Sequence, residues 1–223
     1  MAKERLNIAI DGPAGAGKST VAKLLASRLG IRYLDTGAMY RAIGLSAVRN
    51  HVDVYDFSAV SDLIKKVDVQ VKYENGAQAV YLDGENVNGL IRTEEVSMAA
   101  SAVSAVPEVR IKLVELQREV ARGQSVVLDG RDIGTYVLPD AEFKFFLTAT
   151  AEERARRRTL ELQGRGLPAD YETVLKQIIE RDHADSTRAF APLKQAEDAL
   201  LVDSTGLEID EVLRIMTNAI DGE

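Results

Sequence analysis

Short apolar runs alternate with amphipathic stretches in the first part of the chain. Leu6–Ile10 is an apolar run of strand length, Gly12–Gly17 is rich in glycine, and Lys18–Leu29 carries apolar side chains on one helical face. This order predicts a strand, a loop and a helix. The same patterns predict three further elements: a strand over Ile31–Leu34, a helix from near Thr36, and a helix over Phe57–Val67.

The period of the pattern changes to two at Val67. Residues 67–73 alternate between apolar and polar side chains, and Asn75-Gly76, which follows, is a strong hairpin signal. Ala77–Leu82 is predicted as the return strand, and Asp83-Gly84 offers a second turn. We therefore expect a small antiparallel insert, over roughly residues 67–88, in an otherwise alternating α/β chain.

The second half continues the α/β alternation. Apolar runs predict buried strands over Ser125–Leu128, Phe143–Leu147 and Leu200–Val202. Amphipathic stretches predict helices over Glu94–Ala105, Pro107–Arg122, Glu152–Gln163 and Tyr171–Arg181, and the glycine-proline stretch Gly164–Pro168 predicts a loop. The whole pattern predicts an α/β fold with a parallel sheet.

A phosphate-binding loop is predicted between the first strand and the first helix. Its residues match the pattern G-x-x-x-x-G-K-[ST] completely. Backbone N–H groups in such a loop point at polyphosphate oxygens, Lys18 reaches the β and γ phosphates, and Ser19 can ligate Mg²⁺. The alternative is a fortuitous glycine turn, which the strand-loop-helix context disfavours. The predicted nucleotide-binding residues are Gly12, Pro13, Ala14, Gly15, Ala16, Gly17, Lys18 and Ser19.

Composition narrows the class of protein. The chain has no cysteine and two histidines, which excludes disulfides, cysteine zinc sites and three-histidine metal centres, so we expect any metal to be Mg²⁺ held by oxygen. A net charge of −7 argues against nonspecific binding to nucleic acid. No apolar run approaches the ~20 residues that span a bilayer, and Asp11 interrupts the N-terminal apolar stretch. We expect a cytoplasmic protein with neither a membrane nor a nucleic acid as partner.

The basic residues are mostly arginines, which suit recognition of phosphate or carboxylate. Arginines outnumber lysines 18 to 10, and eleven of them lie from Arg110 to Arg188. The cluster Arg154, Arg156, Arg157 and Arg158, with Arg165 in the glycine-proline loop, predicts a lid that closes over the transferring phosphoryl group; plain solvated charge is the alternative.

Other charged residues lie at the ends of predicted elements. Asp129–Asp132 follow an apolar strand, at the edge where open α/β sheets bind ligands, although Asp-Gly is also an ordinary turn pair. Thr36 is predicted to cap a helix on which Arg41 either faces the same crevice or is solvated. Arg181, Asp185 and Arg188 lie on one helical face if the last predicted helix continues; the alternative is a surface salt-bridge ladder.

Five segments together resemble the bacterial cytidylate kinases: Gly12–Thr20, Asp35–Arg41, Gly89–Thr93, Asp129–Thr135, and the stretch from Arg181-Asp182 to Arg188-Ala189. The resemblance covers nearly the whole chain, and only the first segment is generic to phosphate-binding loops. It implies a P-loop nucleoside-monophosphate kinase fold in one domain over 1–223. It adds a five-stranded parallel sheet flanked by helices, an antiparallel insert over 63–92 in the CMP-binding region, and a lid over 154–168.

The same resemblance implies an activity. The γ-phosphoryl group of ATP is expected to pass to CMP or dCMP, with Mg²⁺, in a monomeric cytoplasmic enzyme. Thr36 stands where some relatives have serine, and both supply a hydroxyl. No general base is required, because the attacking phosphate oxygen is already ionised at neutral pH.

Residue roles also follow from the resemblance. Ser101, Arg110 and Asp132 are placed around cytosine, where Asp132 accepts from the C4 amino group and Arg110 donates to N3 and O2, so that uracil is rejected. Arg181 and Asp185 are placed near the sugar. The remaining assignments are Arg41, Arg131 and Arg188 at the acceptor phosphate, Thr36 and Asp129 at the substrate, Thr20 and Arg157 at ATP, Ser19 at the metal, and Lys18, Arg131, Arg158, Arg181 and Arg188 in catalysis.

Several points stay open at this level. Either Asp35 or Asp129 orders the waters of Mg²⁺. A kinase for UMP, shikimate or dephospho-coenzyme A is one alternative, since the phosphate-binding loop does not select the acceptor. A nucleotide-dependent switch or binding module without turnover is another.

Overall fold

The computed structural model describes residues 5–222 of the chain. Its strands are β1 (Asn7–Asp11), β2 (Arg32–Asp35), β3 (Val69–Glu74), β4 (Ala77–Leu82), β5 (Glu85–Asn86), β6 (Val126–Gly130), β7 (Phe143–Thr148) and β8 (Leu200–Asp203). Its α-helices are α1 (Lys18–Leu29), α2 (Thr36–Arg49), α3 (Phe57–Lys66), α4 (Glu94–Val103), α5 (Pro107–Gly123), α6 (Ala151–Gly164), α7 (Tyr171–Thr187) and α8 (Ile209–Asp221). A π-helical turn covers Ile133–Val137.

The larger sheet is five-stranded, with the order β2-β6-β1-β7-β8. Parallel pairing joins β1 to β6 and to β7, and β7 to β8. The central strands β1 and β6 are almost entirely buried, and each has an apolar middle, as expected for strands covered on both faces. The predicted α/β fold class, with a parallel sheet flanked by helices, is confirmed.

The described chain divides into two compact units. One contains the residues up to Arg32 together with those from Ser125 onward. In it α1 packs against β1 and β6, α8 packs against α1, and α6 packs against α7. The core combines strand residues such as Ile8, Ile10 and Leu128 with Leu25 of α1, all of them inaccessible to solvent.

The other unit, Tyr33–Gln124, holds α2 to α5 and the small sheet. In that sheet β3 pairs antiparallel with β4, and β4 with β5, so the predicted insert is confirmed. Helices α2 and α4 pack closely: a Cβ at Gly44 would lie 2.7 Å from the backbone nitrogen of Ala100. This glycine is needed for that approach.

Three local features differ from the sequence-based predictions. Asp35, not Thr36, is the N-cap of α2, and its side chain accepts from the Ala38 N–H. An N-cap side chain accepts from the N–H of the second or third helical residue. The Asp35 carboxylate, one residue before the helix, reaches the N–H of the third. Helix α8 and the π-helical turn were not predicted.

Candidate active site

The phosphate-binding loop is built as the sequence predicts, directly after β1. Gly12 has a φ of +145°, and a Cβ there would lie 1.9 Å from the carbonyl oxygen of Leu147 on the neighbouring strand. Gly17, with a φ of +89°, occupies the left-handed conformation immediately before α1. Both positions require glycine because L-residues with side chains rarely adopt these angles, and at Gly12 there is no space for one.

Lys18 and Ser19 follow at the start of α1. The Lys18 ammonium is buried and donates to the carbonyl oxygen of Pro13 at 2.7 Å. Burial, and next the positive charge of Arg131, lower the pKa of Lys18 well below its ordinary value. A polyphosphate bound at this loop would raise that pKa, because a nearby negative charge favours the ammonium form. Ser19 Oγ donates to Asp129 Oδ2 at 2.7 Å, so a hydroxyl and a carboxylate oxygen are neighbours at the loop.

Four predicted substrate residues form one ion-pair network in the same unit. Arg131 Nε donates to Asp185 Oδ2 at 2.8 Å, and Arg188 donates to Asp132 Oδ1 at 3.3 Å. Arg188 also lies 3.8 Å from Asp185 Oδ1. Burial by itself would raise the pKa of Asp185, but the charge and hydrogen bond of Arg131 lower it on balance. Asp185 is therefore an ionised partner of these arginines at neutral pH.

This network is not a surface ladder. The side chains of Asp132, Asp185 and Arg188 are all less than a tenth exposed, and Arg131 is about a fifth exposed. Helix α7 continues past Arg181 to Thr187, and Arg188 is its C-cap, one residue beyond the helix. Arg181 itself is exposed on that helix, and its charge also lowers the pKa of Asp185.

Arg154 has a structural role that sequence analysis missed. Its guanidinium is buried and forms a bidentate pair with Asp182, at 3.1 and 2.6 Å. It also donates to the carbonyl oxygens of Ala149 and, in the phosphate-binding loop, Ala14. Arg154 therefore joins α6 and α7 to the loop and is not a solvated lid arginine. Nothing in a run of four arginines within five residues marks which one is buried.

Arg157 and Arg158 occupy different environments on α6. Arg157 donates to Ser204 Oγ at 3.1 Å and to the Ser204 carbonyl oxygen at 2.6 Å, and it is also paired with Glu153. Arg158 is more exposed and pairs with Glu161. The Ser204 backbone in turn bonds to Thr148 at the end of β7. Arg157 is thus fixed beside the turn after β8, whereas Arg158 is not.

In the other unit, Asp35 organises two arginines. Its Oδ2 accepts from Arg41 at 2.9 Å and from Arg92 at 2.7 Å, while its Oδ1 caps α2. A Cβ at Gly37 would lie 3.1 Å from the Arg41 guanidinium and 3.2 Å from Asp35 Oδ1, so the glycine leaves room for this arrangement. Arg92 had no predicted role, although the segment that contains it carries the resemblance. Thr36 is buried beside the cap.

Arg110 is also in this second unit and is almost completely buried. It donates to the carbonyl oxygen of Ser104 at 3.3 Å, and its guanidinium lies 5.6 Å from the centre of the Tyr40 ring. Ser104 Oγ in turn donates to the carbonyl oxygen of Ser101. Arg110 and Ser101 therefore lie in one local hydrogen-bonded arrangement. Their predicted partnership with Asp132, which is in the first unit, stays a prediction.

Residues 5–222 contain no cluster of three or more His, Asp or Glu side chains suited to hold a metal ion by themselves. No helix among them is long and apolar enough to cross a membrane.

Comparison with known proteins identifies the family. The model of the cytidylate kinase family matches residues 8–222. The cytidylate kinase of Caldicellulosiruptor bescii is 56% identical over 211 residues, which are 95% of this chain and 93% of the relative. That of Shouchella clausii is 51% identical over 214 residues, or 96% and 95%.

A solved structure supports the fold independently. An uncharacterized protein from Eubacterium ventriosum is 16% identical, with a TM-score of 0.55, and the match covers 99% of this chain and all of the other. At that identity the likeness concerns the fold alone. Taken with the geometry of the phosphate-binding loop and the buried arginine network, the sequence matches show that the chain belongs to the cytidylate kinase family.

Proposed function

We propose that this chain transfers the γ-phosphoryl group of ATP to CMP, and to dCMP, giving CDP or dCDP and ADP. The observation that carries the proposal is the presence, in one unit, of a complete phosphate-binding loop and of a buried network of Arg131, Asp132, Asp185 and Arg188. Membership of the cytidylate kinase family selects the acceptor. A nucleotide switch has no need of two arginines that carboxylates hold in a fixed orientation beyond the donor loop.

The donor site consists of residues 12–20. Backbone N–H groups and the N-terminus of α1 bind the phosphates of ATP, and Lys18 exchanges its bond to Pro13 for phosphate oxygens. Arg157, fixed at Ser204, contributes to the adenosine side.

The oxygens of Ser19 and Asp129 suit Mg²⁺, which prefers hard oxygen ligands and retains several waters. Ser19 would ligate the ion directly, and Asp129 would hold its waters. Asp35 is less suited, because its oxygens already accept from two arginines and from the cap of α2. When bound, Mg²⁺ neutralises part of the charge of the donor phosphates.

The acceptor phosphate is bound by guanidinium groups that the protein has already oriented. Arg131 and Arg188 are held by Asp185 and Asp132, and Arg41 is held by Asp35. Such fixed donors lose little freedom when a phosphate binds. The second pKa of a phosphate monoester is about 6, so the attacking oxygen is ionised at neutral pH and no base is needed. Catalysis is then positioning and charge neutralisation by Lys18, Arg131, Arg158, Arg181 and Arg188.

The cytosine base is proposed to bind Asp132, Arg110 and Ser101, with Thr36 nearby and with the sugar on Arg181 and Asp185. An ionised carboxylate accepts from the C4 amino group of cytosine and repels the C4 carbonyl of uracil. Residues 63–92 are proposed to complete the CMP-binding region, and residues 154–168 to act as a lid, within one kinase domain over 1–223. The enzyme is proposed to act as a monomer in the cytoplasm. Sedimentation at working concentration tests the monomeric state.

An ADP-release assay with a panel of acceptors tests this function. ATP and Mg²⁺ are held constant while CMP, dCMP, UMP, AMP, shikimate and dephospho-coenzyme A are compared. We expect the highest kcat/KM with CMP and dCMP. A preference for another acceptor would replace the assignment, and ADP release that no acceptor stimulates would indicate a switch or binding module.

The two neighbouring arginines of α6 give a prediction about the donor side. Arg157→Ala should raise the KM for ATP about tenfold, because it removes a charged donor held at Ser204, worth roughly 1.5 kcal/mol. Arg158→Ala should instead lower kcat more than it changes either KM, if its guanidinium acts only in the closed state. Arg156→Ala is the matched control, since Arg156 is exposed and paired only with Glu153 in the contacts described here. Wild-type kinetics for all three variants would remove Arg157 from the donor site and Arg158 from catalysis.

A further inference from the structure

Asp11 is a buried carboxylate that the proposed mechanism does not use. It is the last residue of β1, only 4% exposed, and the phosphate-binding loop starts at the next residue. Its two oxygens accept from two consecutive backbone N–H groups: Oδ1 from Ile133 at 2.8 Å and Oδ2 from Gly134 at 2.7 Å. One side chain therefore connects the start of the donor loop with the residues that directly follow Arg131 and Asp132.

The segment that Asp11 holds is the π-helical turn Ile133–Val137. Helical turns begin with N–H groups that lack a partner within the turn, and the side chain of the preceding residue usually supplies one. Here the preceding residue is Asp132, and its side chain makes no such cap. Its carboxylate is paired with Arg188 instead. Asp11 caps the turn from another strand, so Asp132 is not consumed as a cap.

The capping of this turn by Asp11 affects the residues that lie directly before the turn. Arg131 and Asp132 lie between the end of β6 and the turn, so the turn fixes the backbone direction of both residues from one side. Single π-helical turns are rare and are often found at functional sites. The nearest side chain at Gly134 besides Asp11 is the aliphatic part of Lys144, which would be 3.2 Å from an added Cβ.

We propose that Asp11 is a positioning residue for the acceptor site: by capping the turn in place of Asp132, it holds Arg131 and Asp132 in the orientation that binds the nucleoside monophosphate. The inference rests on the proposed function of those two residues. Asp11 touches neither the donor phosphates nor the acceptor in this scheme. It acts through the backbone of residues 133 and 134.

The buried carboxylate of Asp11 lowers the stability of the fold when it is ionised. The pKa of Asp11 is raised to about 6 on balance. Burial is the largest cause; the two backbone hydrogen bonds oppose it, the charge of Asp132 adds to it, and the charge of Lys18 opposes it. Because the folded-state pKa lies above the ordinary 3.8, the contribution of Asp11 to stability is greatest below about pH 4 and is lost as pH rises through about 6. The ionised carboxylate, which can accept from both backbone N–H groups, is therefore held at a cost in stability at neutral pH.

The test separates binding of the two substrates in Asp11→Asn. The carboxamide has one acceptor oxygen and presents an N–H to the other backbone N–H, so one cap bond is lost. We expect the Kd and KM for CMP to rise about tenfold or more and those for ATP to change less than about twofold. Asp210→Asn, at an exposed position of α8, should change neither.

A second variant covers the case in which Asp11→Asn does not fold. Gly134→Ala places a Cβ 3.5 Å from Asp11 Oδ2 and 3.2 Å from the flexible Lys144 chain, a mild disturbance of the same contact. It should raise the KM for CMP several-fold and leave that for ATP unchanged. If either folded variant affects CMP and ATP equally, affects ATP alone, or affects neither, the inference is overturned. The wild-type protein distinguishes a failure of this inference from a failure of the proposed function. It must show CMP-dependent ADP release, and absence of that release would refute the proposed reaction instead.

Discussion

Lys18→Ala is expected to lose at least about a hundred-fold in kcat, with little change in thermal midpoint. The ammonium is one of the fixed positive groups at the donor phosphates, and loss of a single oriented donor of this kind costs about a hundred- to a thousand-fold in rate. Lys18 donates to the Pro13 carbonyl oxygen, inside the loop, and does not support an apolar core. Its burial with a lowered pKa also means that the fold gains little from its charge.

Lys23→Ala is the matched control for this substitution. Lys23 lies on the same helix one and a half turns further on and is exposed. It should retain wild-type kcat and both KM values in the ADP-release assay. Activity of Lys18→Ala within a few-fold of the wild type would show that residues 12–20 are not the donor site. A large fall in the thermal midpoint would assign the loss to folding.

Periodicity and turn chemistry were enough to predict most of the fold. The helix over Lys18–Leu29 has the predicted bounds, because a glycine precedes it and another follows it in left-handed conformations that end helices. The hairpin at Asn75-Gly76 also forms as predicted, since both residues have the positive φ that this turn needs. Strand ends extended by one or two residues, because polar residues such as Asp11 and Asp129 still pair in the sheet.

The parts that were not predicted depend on contacts distant in sequence. The π-helical turn is capped by a residue 122 positions earlier, and no local pattern encodes such a partner. Helix α8 is the exception, because its amphipathic pattern is local although it packs on the distant α1. Asp35 is the N-cap where Thr36 was predicted. Both residue types are good caps, so the backbone geometry decides between them and residue type does not.

Charged residues of the candidate site show the same limit more clearly. Spacing placed Asp185 and Arg188 on one helical face, but burial of both follows only from their pairing with Arg131 and Asp132 on another element. Arg154 and Arg157 belong to one basic run, yet one fixes the phosphate-binding loop and the other reaches Ser204. A run of arginines does not state which carbonyl or carboxylate each of them will reach.

Asp132→Asn is expected to relax the choice between cytosine and uracil. The carboxylate only accepts hydrogen bonds, whereas the amide can turn an N–H toward the C4 carbonyl of uracil. Loss of one charged hydrogen bond in a closed site costs about 1.5–3 kcal/mol, which is roughly ten- to a hundred-fold in kcat/KM for CMP. The value for UMP should fall less, or rise. Asp140→Asn, at an exposed position eight residues later, is the control and should change neither.

The ratio of kcat/KM for CMP over UMP isolates the base from the other role of Asp132. Its carboxylate also pairs with Arg188, and a weakened pair would disturb the acceptor phosphate equally in both nucleotides. That effect lowers both rate constants and cancels in the ratio, while contact with the pyrimidine edge does not cancel. Wild type and variant are therefore compared under the same ATP and Mg²⁺ concentrations. A ratio that stays the same while both values fall would leave Asp132 as a partner of Arg188 and remove it from base recognition.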